Sequence, residues 1–397
     1  MATTTEAKPP TSASSKQADT RGLAGQTIGD TAICSVNQTQ LIYRGYEIAD
    51  LAEHATFEDV AFLLLVGHKP SATELKSFKE ELVSMRSVEQ EVLDVVGRIA
   101  QNSASRPDVH PMSILRTGVS LLAHVDPECE DNSPEAGLRK AKRLLAKIPT
   151  IIGHGQMSRE GRKPVAPDPK LDHAANLLWC ISGQKPTELA AKVMDVSLIL
   201  YAEHDFNAST FACRVIASTE ADMHSAVCGG IGALKGPLHG GANEMAMEML
   251  REIDRDISAS GGKTTVEQWM HRAFDEKRKL MGFGHRVYKN GDHRAGILRA
   301  LGLKFAQQVK PDSKKWFDLG DKVQAIMLKE KNIHPNVDFP CGMTYFALGI
   351  PVPQYTPIFV ASRVTGWCAH TMEQHADNRI IRPLANYIGP SLRKWKG

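Results

Sequence analysis

From residue 56 onward, apolar side chains recur mainly at three- and four-residue intervals, the spacing that lines one face of a helix. Thr56 precedes "FEDVAFLLLVG" with Asp59 three residues on, Ser71 pairs with Glu74, and Ser87 pairs with Gln90. Each pair has the spacing of a capping box, in which a hydroxyl and a carboxylate or carboxamide satisfy orphan amides reciprocally. "HKPSA" separates the first two of these helices. Further helices are predicted over residues 111–124, 134–155, 168–182, 186–202, 208–219, 239–254, 264–279, 293–310, 313–331, 338–349 and 355–375. Ahead of them, Thr31–Val36 and Leu41–Tyr43, with "NQT" between, read as a short N-terminal β-hairpin.

The pattern therefore predicts a mainly α, multi-helical protein, and no internal repeat suggests a solenoid. One stretch interrupts it. "CGGIGALKGPLHGGAN" (228–243) holds six glycines and a proline. Two readings stand side by side: a hinge leading into a smaller domain of roughly 235–342, or close packing of helices.

Composition narrows the class. The chain has 397 residues, 42% of them hydrophobic, with 48 basic against 45 acidic residues. A net charge of +3 is no footprint for nucleic acid or an anionic membrane. The longest apolar runs fall well short of the ~20 residues that span a bilayer. Seven cysteines, with no CxxC pair, suit free thiols in a reducing compartment, and no local spacing supports zinc. Residues 1–21, rich in Thr, Ser, Ala and Pro, read as a disordered tail without the apolar core of a secretory signal. A cytoplasmic location is expected.

Four segments carry candidate chemistry. "YAEHDFNAST" sets His204 between two carboxylates; "GPLHGGANE" sets His239 at a glycine turn entering a helix. "MGFGHRVYKNGDHRAG" holds His285 and Arg294 among four glycines, and "HPNVDFP" sets Asp338 just before a helical run. Glycines beside His239 and His285 would let a substrate approach the backbone without meeting a Cβ. A helix start disfavours imidazolium, and a neutral imidazole can donate to a developing enolate. Arg294, Arg363 ("ASRVTGW") and Arg382 ("IIRPL") would suit a di- or tricarboxylate if they cluster, because guanidinium forks bind carboxylates bidentately.

"KGPLHGGANE", "MGFGHRVYKNGDHR", "HPNVDF", "TPIFVASRVTGWCAH" and "NRIIRP", in this order, resemble the citrate synthase family, which includes 2-methylcitrate synthase. The resemblance runs from about Gly22 to the C-terminus. It implies a helical homodimer, each subunit with a large domain (22–234 and 343–397) and a small one (235–342) that closes over substrate. It implies condensation of acetyl-CoA with oxaloacetate, then thioester hydrolysis, giving citrate and CoA. Propionyl-CoA is the alternative acyl donor, and a non-catalytic helical scaffold is the alternative of another class. His239 would hydrogen-bond the thioester carbonyl, Asp338 remove the α-proton and His285 polarise the oxaloacetate carbonyl. His204, Arg294 and Arg363 would contact oxaloacetate, and Arg382 would reach across the dimer interface. Leu280, Met281, Gly282, Phe283, Gly284 and Lys289 would contact CoA, itself a substrate; no metal or redox cofactor is implied. The chain departs from the family pattern at His293, at Pro340–Cys341 and at Leu384, which raises the question of whether the packing beside Asp338 survives.

Overall fold

The computed structural model describes Leu23, residues 26–106 and residues 108–395; the expected disordered tail, 1–21, lies outside them. The chain divides into two units, 1–31 and 32–397, and all the elements below belong to the second. Strands β1 (Cys34–Val36) and β2 (Leu41–Tyr43) form the predicted hairpin, with Cys34 opposite Tyr43. Its turn is set by Asn37, whose Oδ1 accepts from the N–H groups of Thr39 and Gln40, both at 2.9 Å. A third strand, β3 (Tyr46–Glu47), pairs antiparallel with β2 and was not evident in the periodicity. Two residues are too few for alternation to register.

Sixteen α-helices follow among the described residues: α1 (Ile48–His54), α2 (Phe57–Val66), α3 (Ala72–Ser84), α4 (Gln90–Asn102), α5 (Pro111–Val125) and α6 (Pro134–Arg159). Next come α7 (His173–Ser182), α8 (Glu188–Tyr201), α9 (Ala208–Ala217), α10 (Met223–Leu234) and α11 (Ala242–Ala259). The last are α12 (Val266–Asp275), α13 (His293–Val309), α14 (Lys314–Lys331), α15 (Asp338–Ala347) and α16 (Tyr355–Ala376). The capping boxes at Thr56–Asp59 and Ser71–Glu74 form as expected. The one expected at Ser87–Gln90 does not: α4 begins at Gln90, behind Glu89. The Glu89 carboxylate instead accepts from Lys147 Nζ of α6 at 2.7 Å, so an ion pair between helices fixes this end.

Helix α16 is buried around almost its whole circumference and packs against α6, α8, α9 and α10. An all-round apolar helix belongs at the centre of a layered core, and this one brings Arg363 there. The glycine-dense stretch resolves into two parts. Gly229, Gly230 and Gly232 lie inside α10, a helix the sequence pattern had missed. A Cβ at Gly230 would lie 2.7 Å from Cys213 Sγ and 3.0 Å from the Trp367 ring, so these glycines serve close packing of α10 on α9 and α16. Only residues 235–241 make the turn that carries His239.

Pro340 sits in the first turn of α15, where an N–H has no intrahelical acceptor to lose. The helix starts cleanly at Asp338, and the departure from the family pattern leaves that residue's backbone setting regular.

Candidate active site

All four segments meet between the C-terminal end of α8 and the start of α9. His204 lies just beyond it, buried, with Nε2 3.1 Å from the Tyr288 hydroxyl. The His204 and His285 rings meet edge-on at 5.0 Å, and His285 stacks on Tyr288 at 4.5 Å. Burial, with Arg294, His285 and Arg363 adding to it, pushes His204 well below the ordinary imidazole value.

His285 has its tautomer fixed by its own loop. Its Nδ1 accepts from the backbone N–H groups of Val287 (3.1 Å) and Tyr288 (3.2 Å). The ring proton therefore resides on Nε2, which is left to donate. Burial and then Arg294 lower its pKa to about 4, so the ring is neutral at pH 7. His239 is arranged in the mirror sense. Its Nε2 accepts from the Ser209 backbone N–H at 3.2 Å and lies 2.8 Å from the Ser209 hydroxyl, which puts the proton on Nδ1. Ser209 is itself fixed, because Trp367 Nε1–H donates to its hydroxyl at 3.2 Å. Burial and then Arg363 lower the pKa of His239 to about 4.

Asp338 accepts from the Tyr201 hydroxyl on Oδ1 at 2.7 Å, leaving Oδ2 for other work. Burial pushes its pKa up to about 6, against the Tyr201 hydrogen bond and the positive charges of Arg294 and Arg363, which pull it down. The carboxylate is thus ionised at neutral pH yet a stronger base than an exposed one.

The arginines divide into three cases. Arg363 is buried, donates from Nε to the Tyr201 carbonyl at 2.6 Å and lies over the Phe359 ring. No carboxylate among the described residues lies within ion-pair distance of it, and its Nη atoms have no hydrogen-bond acceptor there. Arg294 is equally buried but forked onto Asp292, with Nε to Oδ1 at 3.0 Å and Nη2 to Oδ2 at 2.9 Å. Burial opposes its charge, and the Asp292 pairing more than restores it. Asp292 also accepts from the Val337 N–H at 3.0 Å, tying Arg294 to the segment that carries Asp338. Arg382 is not brought to this ring. It stands exposed in the extended segment after α16, with no polar partner among the described residues.

The loop expected to touch CoA runs alongside. Gly282, Gly284 and Gly291 have φ values of +84°, +74° and +111°. A Cβ at Gly282 would lie 2.9 Å from the Phe339 Cβ, so this glycine lets the loop close onto the start of α15 rather than onto a substrate. The loop is stitched there by Gly284 N–H to the His334 carbonyl (2.8 Å) and Asn336 N–H to the Gly282 carbonyl (2.9 Å). Leu280, Met281 and Phe283 line it half-buried, while Lys289 is exposed, its Nζ 3.3 Å from the His285 carbonyl.

The family model described as citrate synthase, C-terminal domain, matches residues 22–384. The chain belongs to the citrate synthase family. It is 40% identical to citrate synthase 2 of Bacillus subtilis over 95% of this chain and 97% of that one. It is 43% identical to the 2-methylcitrate synthase of Shewanella oneidensis over 94% and 96%. Among solved structures it superposes on the citrate synthase of Thermoplasma acidophilum with a TM-score of 0.87, at 30% identity, covering 95% of this chain and 98% of that one. That protein was solved as a ternary complex with carboxymethyl coenzyme A and oxaloacetate. Within this citrate synthase fold, Tyr201, Ser209, Tyr288 and Asp292 are the site neighbours that motif reading passed over. Each sat inside a quoted motif, but only the fold shows which histidine, carboxylate or arginine it holds.

Proposed function

We propose that the chain condenses acetyl-CoA with oxaloacetate to give citrate and CoA. The observation that carries this reading is Arg363, a buried guanidinium supported at a distance by the Glu203 charge but in no ion pair among the described residues, whose charge bears on His239, His204 and Asp338. Such a cation is a receptor for a carboxylate, and the neutral histidines beside it are donors for carbonyl oxygens. Asp338 Oδ2 takes a proton from the methyl group of the thioester while His239 Nδ1–H donates to its carbonyl oxygen. The enolate carbon then attacks the ketone carbon of oxaloacetate, and the oxygen, already hydrogen-bonded by His285 Nε2–H, takes that proton as it becomes the citryl hydroxyl; the proton held by Asp338 returns through solvent to reset the site. Arg363 and the two Arg294 N–H groups not engaged by Asp292 or Leu200 hold the oxaloacetate carboxylates. Water then cleaves the citryl thioester, releasing CoA. The reaction calls for no metal or redox cofactor.

Arg382 completes the carboxylate set from the partner subunit of a homodimer, a reading supported by its exposed position in an extended, apolar-rich terminus. Residues 235–342 act as a small domain that closes on substrate, with Leu280–Gly284 and Lys289 against CoA. A cytoplasmic location is supported by seven unpaired cysteines, and no described helix is long and apolar enough to cross a membrane. Propionyl-CoA is the second donor considered, since relatives of both names match at similar identity. One added methylene changes transition-state binding by only about 1–3 kcal/mol.

The test is thiol release from purified protein with oxaloacetate and either acetyl-CoA or propionyl-CoA. A higher kcat/KM for acetyl-CoA is expected. A propionyl-CoA preference would move the chain to 2-methylcitrate synthesis, and no release with either would return it to the scaffold reading.

A further inference from the structure

The turn between α9 and α10 packs against the loop between α5 and α6, and three different metal-ligating side chains meet there. Cys129 comes from the α5–α6 loop; Asp222 and His224 come from the start of α10. Their donor atoms all lie within 4.8 Å of one another. His224 is 2% exposed, yet neither ring nitrogen has an oxygen at good hydrogen-bond distance. Its Nδ1 is 3.7 Å from Asp222 Oδ1 and 3.9 Å from Cys129 Sγ, and its Nε2 is 3.5 Å from Asp126 Oδ2.

We propose that Cys129 Sγ, Asp222 and His224 Nδ1 form a binding site for a zinc-class divalent cation. Bond lengths of about 2.3 Å to sulfur and about 2.0–2.1 Å to nitrogen or oxygen put tetrahedral ligand atoms roughly 3.3–3.6 Å apart. The two gaps from His224 Nδ1, 3.7 Å to Asp222 and 3.9 Å to Cys129, are a few tenths of an ångström wider, and all three donors lie within 4.8 Å of one another, close enough for one cation to draw them together. Sulfur, imidazole and carboxylate together select a borderline-soft metal over calcium or magnesium. Asp126 stands behind the imidazole on Nε2, the arrangement by which carboxylates orient metal-bound histidines. Asp126 is in turn gripped by Arg143 through Nε at 2.9 Å and Nη2 at 2.8 Å. Asp222 caps α10 through Ser225 and keeps lone pairs on both oxygens for a metal. Lys140 Nζ donates to the Cys129 carbonyl at 2.9 Å, which fixes the loop that carries the thiol.

Binding exchanges the thiol proton of Cys129 for a sulfur–metal bond and releases that proton to solvent. Three protein ligands leave a fourth position for water. The site lies at the opposite end of α10 from the His239 turn, about 16 Å along the helix axis at 1.5 Å per residue. It would clamp the α9–α10 turn to the α5–α6 loop.

The test titrates metal-free, reduced full-length protein with Co2+. One Co2+ per chain is expected to give thiolate-to-cobalt charge-transfer absorption and tetrahedral d–d bands, both displaced by Zn2+. Cys129→Ser should abolish the charge-transfer band with condensation activity unchanged. Asp126→Asn should keep the band and weaken Co2+ binding by roughly 10- to 100-fold. The exposed Glu267, His271 and Glu330 group is an internal control, since it has no sulfur and cannot produce that band. No charge-transfer band in the wild-type protein, or a band that persists in Cys129→Ser, would overturn the proposal.

Discussion

The ring around Arg363 and the segment after α16 are opposites. In the ring, His204, His285, Tyr288, Asp292, Arg294 and Asp338 are tied to one another or to backbone, so geometry is fixed before substrate arrives. In the terminal segment, Ile380, Leu384, Tyr387, Ile388, Leu392 and Trp395 stand open to solvent, the last two almost fully. Apolar side chains concentrated on an extended segment need a surface to cover them. The contrast teaches that the candidate chemical centre is preorganised within the chain, while Arg382, proposed to finish carboxylate binding from a partner subunit, is carried on an exposed apolar strap.

The comparison can be broken at either end. Asp338→Asn should lower kcat by roughly 10²- to 10⁴-fold, the usual weight of a general base, with folding and assembly intact by light scattering. An active Asp338→Asn enzyme would remove the ring from the chemistry. Leu392→Ser combined with Trp395→Ser should weaken self-association in analytical ultracentrifugation by on the order of 10²-fold or more, given about 1.5–3 kcal/mol per large apolar side chain re-exposed. Unchanged association would mean the strap covers nothing.

Arg382→Ala sharpens the contrast. Losing a charge-assisted hydrogen bond of about 1.5–3 kcal/mol should lower kcat/KM for oxaloacetate by roughly 10- to 100-fold. Mixing and refolding this variant with Asp338→Asn chains should restore activity, because each hybrid has one site with both residues intact. Failure to complement would place Arg382 in its own subunit's site. Smallest is Tyr201→Phe. Tyr201 stabilises the Asp338 carboxylate, so its removal raises a pKa already near 6. Activity needs the deprotonated form, so the acid limb of the kcat/KM profile should move to higher pH by less than about one unit. A limb that stayed in place would detach Tyr201 from the base.

Much of this was legible in the residue order because the underlying physics is local. Helical periodicity, two of three capping boxes and the Asn37 turn depend on neighbours within four positions, and they formed as read. The Ser87–Gln90 box did not form; α4 starts behind Glu89, which is paired with Lys147 on another helix. Helix α10 was hidden because its glycines lower local helix propensity, a cost of about 1 kcal/mol each that packing against Cys213, Ile216 and Trp367 offsets. The Gly282 turn likewise reflects a Phe339 neighbour over fifty positions away.

The sequence by itself determined the helical class, the short hairpin and the family, and it singled out His204, His239, His285, Arg294, Arg363 and Asp338 as the candidate chemical set. Which nitrogen of each histidine carries the proton, which arginine is spoken for by Asp292 and which stays open, and why Asp338 is a stronger base than usual were decided only by tertiary structure. So was the meeting of Cys129 with His224, 95 positions apart, where local spacing offered no metal motif. Hydrogen-bond partners and burial set protonation and charge, and both are properties of neighbours in space that no spacing along the chain records.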